Sequence, residues 1–332
     1  MKTLYLDCGM GAAGDMLTAA LFELLEDSEK EAFLQELNNI GIEDVTFEAE
    51  KSVKCGIVGT HMKVMVGNVE EEIHDHDHEH EHHDHDHEHH HDHDHEHEHE
   101  HHHDHNHEHE HHHDHEHHHA HHHSSMKDIE DIINALKVSD RVKADAIAVY
   151  KLIAEAESNA HGVEVSEIHF HEVGTKDAVA DVTAVCMLIE KLGIERVEAS
   201  NVHVGSGHVH CAHGILPVPA PATAYILRDV PIYGGGIKGE LCTPTGAALL
   251  KHFSKSFGDM PVMTVTGIGY GMGKKDFSAA NCVRAMLGET GNETGNETDK
   301  VGKLEYSDLV ALADKYGITT DDIVRIIENG QH

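Results

Sequence analysis

Two periods of apolar and polar positions run through this chain, and the switches between them predict its elements. TLYLDC, residues 3–8, is apolar and β-branched enough for a short buried strand. After a glycine-rich turn, GMGAAGDM, the Leu, Phe and Ala spacing of ALFELLEDSEKEAFLQELNNIG fits two helices, broken near Asp27 and stopped by Gly41. VTFEAEKSV and THMKVMVGNV alternate as two strands around a turn at Gly56–Gly59. Past residue 124 the helical period returns in DIEDIINAL and in VKADAIAVYKLIAEAESNAHG, the latter closed by Gly162. SEIHFHEVG reads as a short strand or extended piece, DAVADVTAVCMLIEKLG as a helix and VEASNVHVG as a strand. Two Gly- and Pro-rich stretches, GSGHVHCAHGILPVPAPATAYIL and PIYGGGIKGELCTPTGAALL, read as surface loops, the second ending in a helix from Thr245 or Gly246 to about Phe253. MTVTGIGYGMG and AANCVRAMLG read as a glycine-interrupted strand, a loop and a final strand. The alternation predicts an α/β fold, a mixed sheet core with Gly/Pro-rich loops.

One block breaks this pattern. From His74 to His123 the chain holds 31 of the 41 histidines and 17 acids, with only Asn106 and Ala120 outside that set. Such a stretch cannot bury a core, and its composition predicts a disordered His-rich insert. The body is therefore expected in two parts, 1–73 and 124–289, around a metal-binding insert at 74–123. Residues 290–332 follow as a linker, GETGNETGNET, and a small helical tail opened by Ser307 and Asp308.

Charge and cysteine usage narrow the partners. Removing the insert's 17 acids from the formal net charge of −37 still leaves −20 on the remainder. With 24 Lys and Arg in the whole chain, neither nucleic acid nor an anionic membrane is an expected partner. Asp7 falls where a secretory h-region would have to be, and no run approaches the eighteen or so apolar residues of a membrane span. Cys8, Cys55, Cys186, Cys211, Cys242 and Cys282 form no CxxC pair, which fits a reducing, cytoplasmic setting.

The chemistry-bearing residues fall into groups. Imidazoles interleaved with carboxylates make the insert a reservoir for Ni²⁺, Zn²⁺, Co²⁺ or Cu²⁺; a solvating linker is the plainer reading. In an extended IHFHE segment His169 and His171 point one way, while Asp177 and Asp181 share a helix face at i and i+4. With Glu172 they can converge on a divalent ion, or else be surface polarity with Asp177 as a helix cap. His203, His208, His210 and His213 stand near Cys211, either as soft ligands or as hydrogen-bonded histidines. GMGAAGD, with Gly9, Gly11 and Gly14 between Asp7 and Asp15, is either a phosphate cradle with a cation-holding acid or an ordinary tight turn. It is neither a Walker A nor a GxGxxG fingerprint. ELCTPTG offers Glu240, Thr243 and Thr245 to oxyanions, or a threonine N-cap. Lys274 and Lys275 sit in a glycine loop where they can neutralise an anion.

YLDCGMGAAGDM, IHFHEVGTKDAVADV, the HCAHGILPVPAPATAYIL run, ELCTPTGAALL, and GIGYGMGKKD followed by Asn281 and Arg284 occur in an order that resembles the nickel-insertion proteins of nickel-pincer nucleotide biosynthesis, over residues 1 to about 289. The resemblance implies a chelatase-like, lyase-class enzyme. It would install nickel in pyridinium-3,5-bisthiocarboxylic acid mononucleotide, the cofactor of lactate racemase, forming a carbon–metal bond. It implies Ni²⁺ as substrate metal, and CTP hydrolysed with Mn²⁺ or Mg²⁺. It implies the mononucleotide, CTP, the racemase and a further C-terminal family domain as partners. Where that domain is expected, this chain has GNETGNETDKVGKLEYSDL, so the resemblance reads it as the shorter frame product. Carried onto these positions, it makes His169, His171 and Glu172 the expected catalytic groups. Gly9, Gly11, Gly14, Thr243, Thr245 and Lys274 are expected to hold the cofactor. Asp7, Asp15, His169, His171, Asp177 and Asp181 are the expected metal ligands, with His208, His210 and His213 in a second tier. The competing function is a non-enzymatic nickel store or metallochaperone, and behind it a metal-dependent phosphohydrolase.

Overall fold

The computed structural model describes residues 1–67, 69–70, 124–170, 173–211, 214–291 and 319. The histidine-rich insert at 74–123, His171, Glu172, His213 and the helical tail with Ser307 and Asp308 lie outside the described residues.

A mixed eight-stranded sheet organises the body. Its strands are β1 (Lys2–Asp7), β2 (Val45–Lys54), β3 (Ile57–Val66), β4 (Val69–Glu70), β5 (Arg196–Ala199), β12 (Ser254–Phe257), β13 (Met263–Met272) and β14 (Cys282–Thr290), in the order β12-β5-β1-β14-β13-β3-β2 with β4 on β3. Three two-stranded ribbons flank it: β6 (Val202–His203) with β10 (Ile232–Tyr233), β7 (Gly205–Ser206) with β11 (Gly239–Glu240), and β8 (His208–Cys211) with β9 (Gly214–Pro217). β1 runs parallel to β5 and antiparallel to β14, with Lys2 opposite Glu289, and the Met1 ammonium lies 3.2 Å from the Thr290 carbonyl oxygen. Strands from both sides of the insert therefore share one sheet.

The helices are α1 (Gly14–Glu23), α2 (Asp27–Leu37), α3 (Met126–Ala135), α4 (Asp140–His161), α5 (Lys176–Lys191), α6 (Pro221–Ile226) and α7 (Pro244–Phe253). α1 lies on β13 and β3 and against α5, and α4 packs on α5, α6 and α7. Caps set several ends as their sequences require. Ser125 and Asp128 form a reciprocal box at the start of α3, Ser139 accepts from the Val142 amide, and Gly162 closes α4 in the left-handed conformation at φ 68°. Leu4, Leu17, Leu21, Phe33, Tyr150 and Leu188 fill the core, each stabilising by about 1.5–3 kcal/mol through its removal from water. Among the described residues all six cysteines are free, and no helix is long and apolar enough to cross a membrane.

Several elements depart from the sequence reading, for physical reasons. α2 ends at Leu37, four residues before Gly41. The hairpin turns on Cys55 and Gly56, both at positive φ, as a two-residue loop demands, so Gly59 lies inside β3. SEIHFHEVG is a 3-10 turn at Val165–Glu167 followed by an isolated bridge from Phe170 to Ser124, rather than a strand. GIGYGMG is continuous strand: a Cβ on Gly269 would stand 2.1 Å from the Ala20 carbonyl oxygen, and one on Gly271 1.8 Å from that of Met16. The glycines let the backbone of α1 rest directly on β13, and α1 is accordingly buried at every position from Met16 to Phe22.

Candidate functional site

The chain beyond the carboxyl end of β1 is threaded against a distant loop. The Ala12 amide donates to the Leu241 carbonyl at 3.1 Å and the Thr243 amide to that of Ala12 at 3.1 Å. Gly11 makes this approach possible, since at φ +80° a Cβ would lie 1.9 Å from the Leu241 carbonyl oxygen. The paired segments enter α1 and α7 side by side. A third helix start joins them: Phe170 meets Tyr150 edge-on with centroids 6.1 Å apart, the Tyr150 hydroxyl donates to the Val173 carbonyl at 3.1 Å, and the chain turns at Gly174 into α5.

These three N-termini open onto one cavity of about 740 Å³. Gly14 and Asp15 come from α1, Asp177 and Asp181 from α5, and Thr243 and Thr245 from α7; Glu70, His210, Cys211, Lys274, Lys275 and Phe277 complete its polar and aromatic rim. Thr243 caps α7 through the Gly246 amide at 3.1 Å, whereas α1 and α5 begin without a side-chain cap. Three helix N-termini and two lysines favour an anion. Five carboxylates (Asp15, Glu70, Asp177, Asp181 and Glu240), an imidazole and a thiol favour a cation beside it. α1 and α5 touch at the floor, where a Cβ on Gly14 would stand 2.7 Å from Asp181.

Burial holds the Asp15 carboxyl above the ordinary aspartate range, against the opposing pull of His61 and the Met16 amide, and with Glu70 adding to the rise. A folded chain that binds this proton more tightly than the unfolded one loses stability as pH climbs from the ordinary value through the raised one. Asp15→Asn is therefore expected to raise the melting temperature at pH 7 and leave it unchanged in acid below the ordinary range. Thermal melts at the two pH values check this, and equal shifts at both would refute the buried charge.

The cavity gathers some of the expected residues and leaves others elsewhere. Gly14, Asp15, Asp177, Asp181, His210, Thr243, Thr245 and Lys274 line it. Asp7 does not; it accepts from Arg284 Nη2 at 2.5 Å and from the Gly9 amide at 3.1 Å. Gly9 lies outside the lining too: its amide is taken by Asp7, and its carbonyl faces His203 Nδ1 at 2.9 Å and the Tyr233 hydroxyl at 3.4 Å. His203 is buried, stacked on Tyr233 at 4.6 Å, with Nε2 3.0 Å from the Gly234 carbonyl, so the grouping of histidines around Cys211 is split. His169 and His208 are exposed and outside the lining. Among the described residues no three His, Cys, Asp or Glu side chains stand close enough to hold a metal ion. Convergence of His169, Asp177 and Asp181 is thus absent among the described residues, where His169 is exposed and the two aspartates line the cavity. Asn281, 6% exposed, and Glu70 are site residues that period reading passed over, because a lone polar residue in or beside a strand carries no periodic signal.

Comparison with known proteins bears on this cavity. Residues 4–309 match the family model described as nickel insertion protein. The chain is similar to the pyridinium-3,5-bisthiocarboxylic acid mononucleotide nickel insertion proteins of Clostridium kluyveri (38% identity over 87% of this chain and 62% of the relative) and Clostridium acetobutylicum (39%, 87% and 64%). It is also similar to that of Desulfitobacterium hafniense (34%, 88% and 60%). The chain spans less than two thirds of the length of these relatives. No solved structure matches it.

Proposed function

Since the chain belongs to the nickel insertion protein family, we propose that its cavity holds pyridinium-3,5-bisthiocarboxylic acid mononucleotide and receives nickel there as a substrate. The attachment of the insert carries this reading. Glu70, the last described residue before the insert, lines the cavity; Ser124, the first after it, bridges Phe170 and donates from its hydroxyl to the Gly174 carbonyl at 3.1 Å, next to Val173 and Asp177 of the same wall. A segment with 31 histidines thus joins the described chain, before and after it, at a cavity lined by carboxylates and helix N-termini.

Within the cavity the helix N-termini and lysines take the nucleotide's phosphate, and the α5 carboxylates Asp177 and Asp181 offer oxygen donors to the nickel beside the substrate's own sulfurs. Holding the pieces in contact replaces a costly encounter in water. Forming the carbon–nickel bond breaks a ring C–H bond, and the proton passes to a carboxylate; Asp15, held above its ordinary range, suits that role. Asp15, Asp177 and Asp181 are hard oxygen donors that fit Mn²⁺ or Mg²⁺, which would neutralise the phosphates of CTP.

The test is mass spectrometry of the small molecule after incubation with Ni²⁺, CTP and Mn²⁺, with and without the C-terminal part of a longer relative. Replacing residues 71–123 by an equally long Gly/Ser segment is expected to leave insertion unchanged at saturating nickel and to slow it roughly tenfold or more when nickel is scarce, because the tether raises local concentration. Equal loss at every nickel concentration would reject the tether, and no nickel gain under any condition would reject insertion in favour of storage.

A further inference from the structure

The wall that carries Lys274 is tied from two directions, by Lys54 and Asn281 and by Glu70 and His61. On the backbone side, Lys54 Nζ donates to the carbonyls of Lys274 at 3.2 Å and Lys275 at 3.3 Å and to Asp276 Oδ1 at 2.6 Å. Asn281 Nδ2 donates to the Lys275 carbonyl at 2.9 Å, and the Gly273 amide donates to that of Asn281 at 2.9 Å. These bonds fix the turn that leaves β13. On the side-chain side, Lys274 Nζ lies 3.5 Å from Glu70 Oε1, and His61 Nε2 lies 3.2 Å from that same oxygen. The other ring nitrogen of His61, Nδ1, is 3.0 Å from the Met272 carbonyl, and the ring is 7% exposed.

A carbonyl and a carboxylate both accept, so whichever ring nitrogen carries the proton donates to one of them. One carboxylate thus serves an imidazole and an ammonium together at the cavity wall. Met272 and Lys274 lie two residues apart, so His61 and Glu70 close a ring of contacts that returns the lysine side chain to its own strand.

We propose that Lys274 receives the phosphate of a nucleotide in this cavity, and that His61 is a positioning residue which holds the ammonium in place through Glu70. The proposal rests on the substrate class given above and adds the group that reads it. Two nucleotides offer the phosphate, the pyridinium mononucleotide and CTP. Equilibrium binding without nickel separates them, using nicotinic acid mononucleotide beside its nucleoside and CTP beside cytidine, on the full chain.

The nucleotide that owns the site is expected to bind roughly tenfold to a hundredfold more tightly than its nucleoside, the scale of a charge-assisted hydrogen bond. Lys274→Met removes that ratio. His61→Asn, which replaces only the Nδ1 donor, reduces it, whereas His61→Gln, which reaches the Nε2 position, restores most of it. An unchanged ratio in Lys274→Met, or no preference for either nucleotide in the wild-type chain, overturns the phosphate assignment. Asn and Gln variants that lose the ratio and thermal stability alike reduce His61 to a packing residue and overturn its positioning role. Because no insertion is measured, a failed insertion assay beside an intact phosphate preference would count against the family reading alone.

Discussion

Gly271→Ala is expected to lower the unfolding free energy by about 3 kcal/mol, the upper end of what overpacking a well-filled core costs. The added Cβ would stand 1.8 Å from the Met16 carbonyl oxygen and 2.6 Å from the Ala20 amide nitrogen. Both are backbone atoms of a buried helix, so neither can swing aside as a side-chain tip would. Gly236 provides the control, since a Cβ there meets nothing within 4 Å, and Gly236→Ala is expected to be nearly neutral. Urea denaturation of the two variants decides the matter. A loss below about 1 kcal/mol in Gly271→Ala, small on the scale of core substitutions, would mean that α1 does not rest on β13. The effect reaches the cavity as well, because α1 carries Gly14 and Asp15 into it.

The largest loss of activity is expected from Asp177→Asn combined with Asp181→Asn. Both carboxylates project from one face of α5 into the cavity, four residues apart. If they hold the metal as proposed, removing them should slow nickel insertion by about a hundredfold or more, given that even groups behind metal ligands cost 10–100-fold. Stability should hold or rise slightly, because like charges at i and i+4 repel by about 0.2–0.5 kcal/mol. Insertion rates within threefold of wild type, alongside an unchanged melting temperature, would remove α5 from the chemistry.

How far these features could be read in advance depended on their range along the chain. The i, i+4 spacing of Asp177 and Asp181, the Gly162 stop and the alternation in β2 and β3 are local, and each survives in the structure. β13 reads as a strand, but its glycines read as interruptions, whereas at every second position facing α1 they replace the apolar half of a strand's alternation so that the helix backbone can rest on an unbroken strand. The His169 reading depended on His171 and Glu172 beside it, which lie outside the described residues, while His169 itself is exposed just after the 3-10 turn at Val165–Glu167. His61 sits within an otherwise ordinary strand pattern, and its meaning comes from Met272, more than two hundred residues away. Likewise, nothing local in ELCTPTG announces that Leu241 pairs with Ala12 and so brings α7 beside α1. The family itself was legible from the order of the motifs, which is long-range information of another kind.

The pairing of Lys2 with Glu289 makes the folded body a nearly closed ring. Its first residue and Thr290 are neighbours at the start of β1, whose six residues span about 20 Å towards the glycine turn that leads into α1. A fusion partner attached at either point would hang clear of the entrance. Joining the two points with a few residues and opening the chain inside 71–123 instead would keep every strand neighbour of the sheet, so the order in which this polypeptide is written is separable from the architecture it builds.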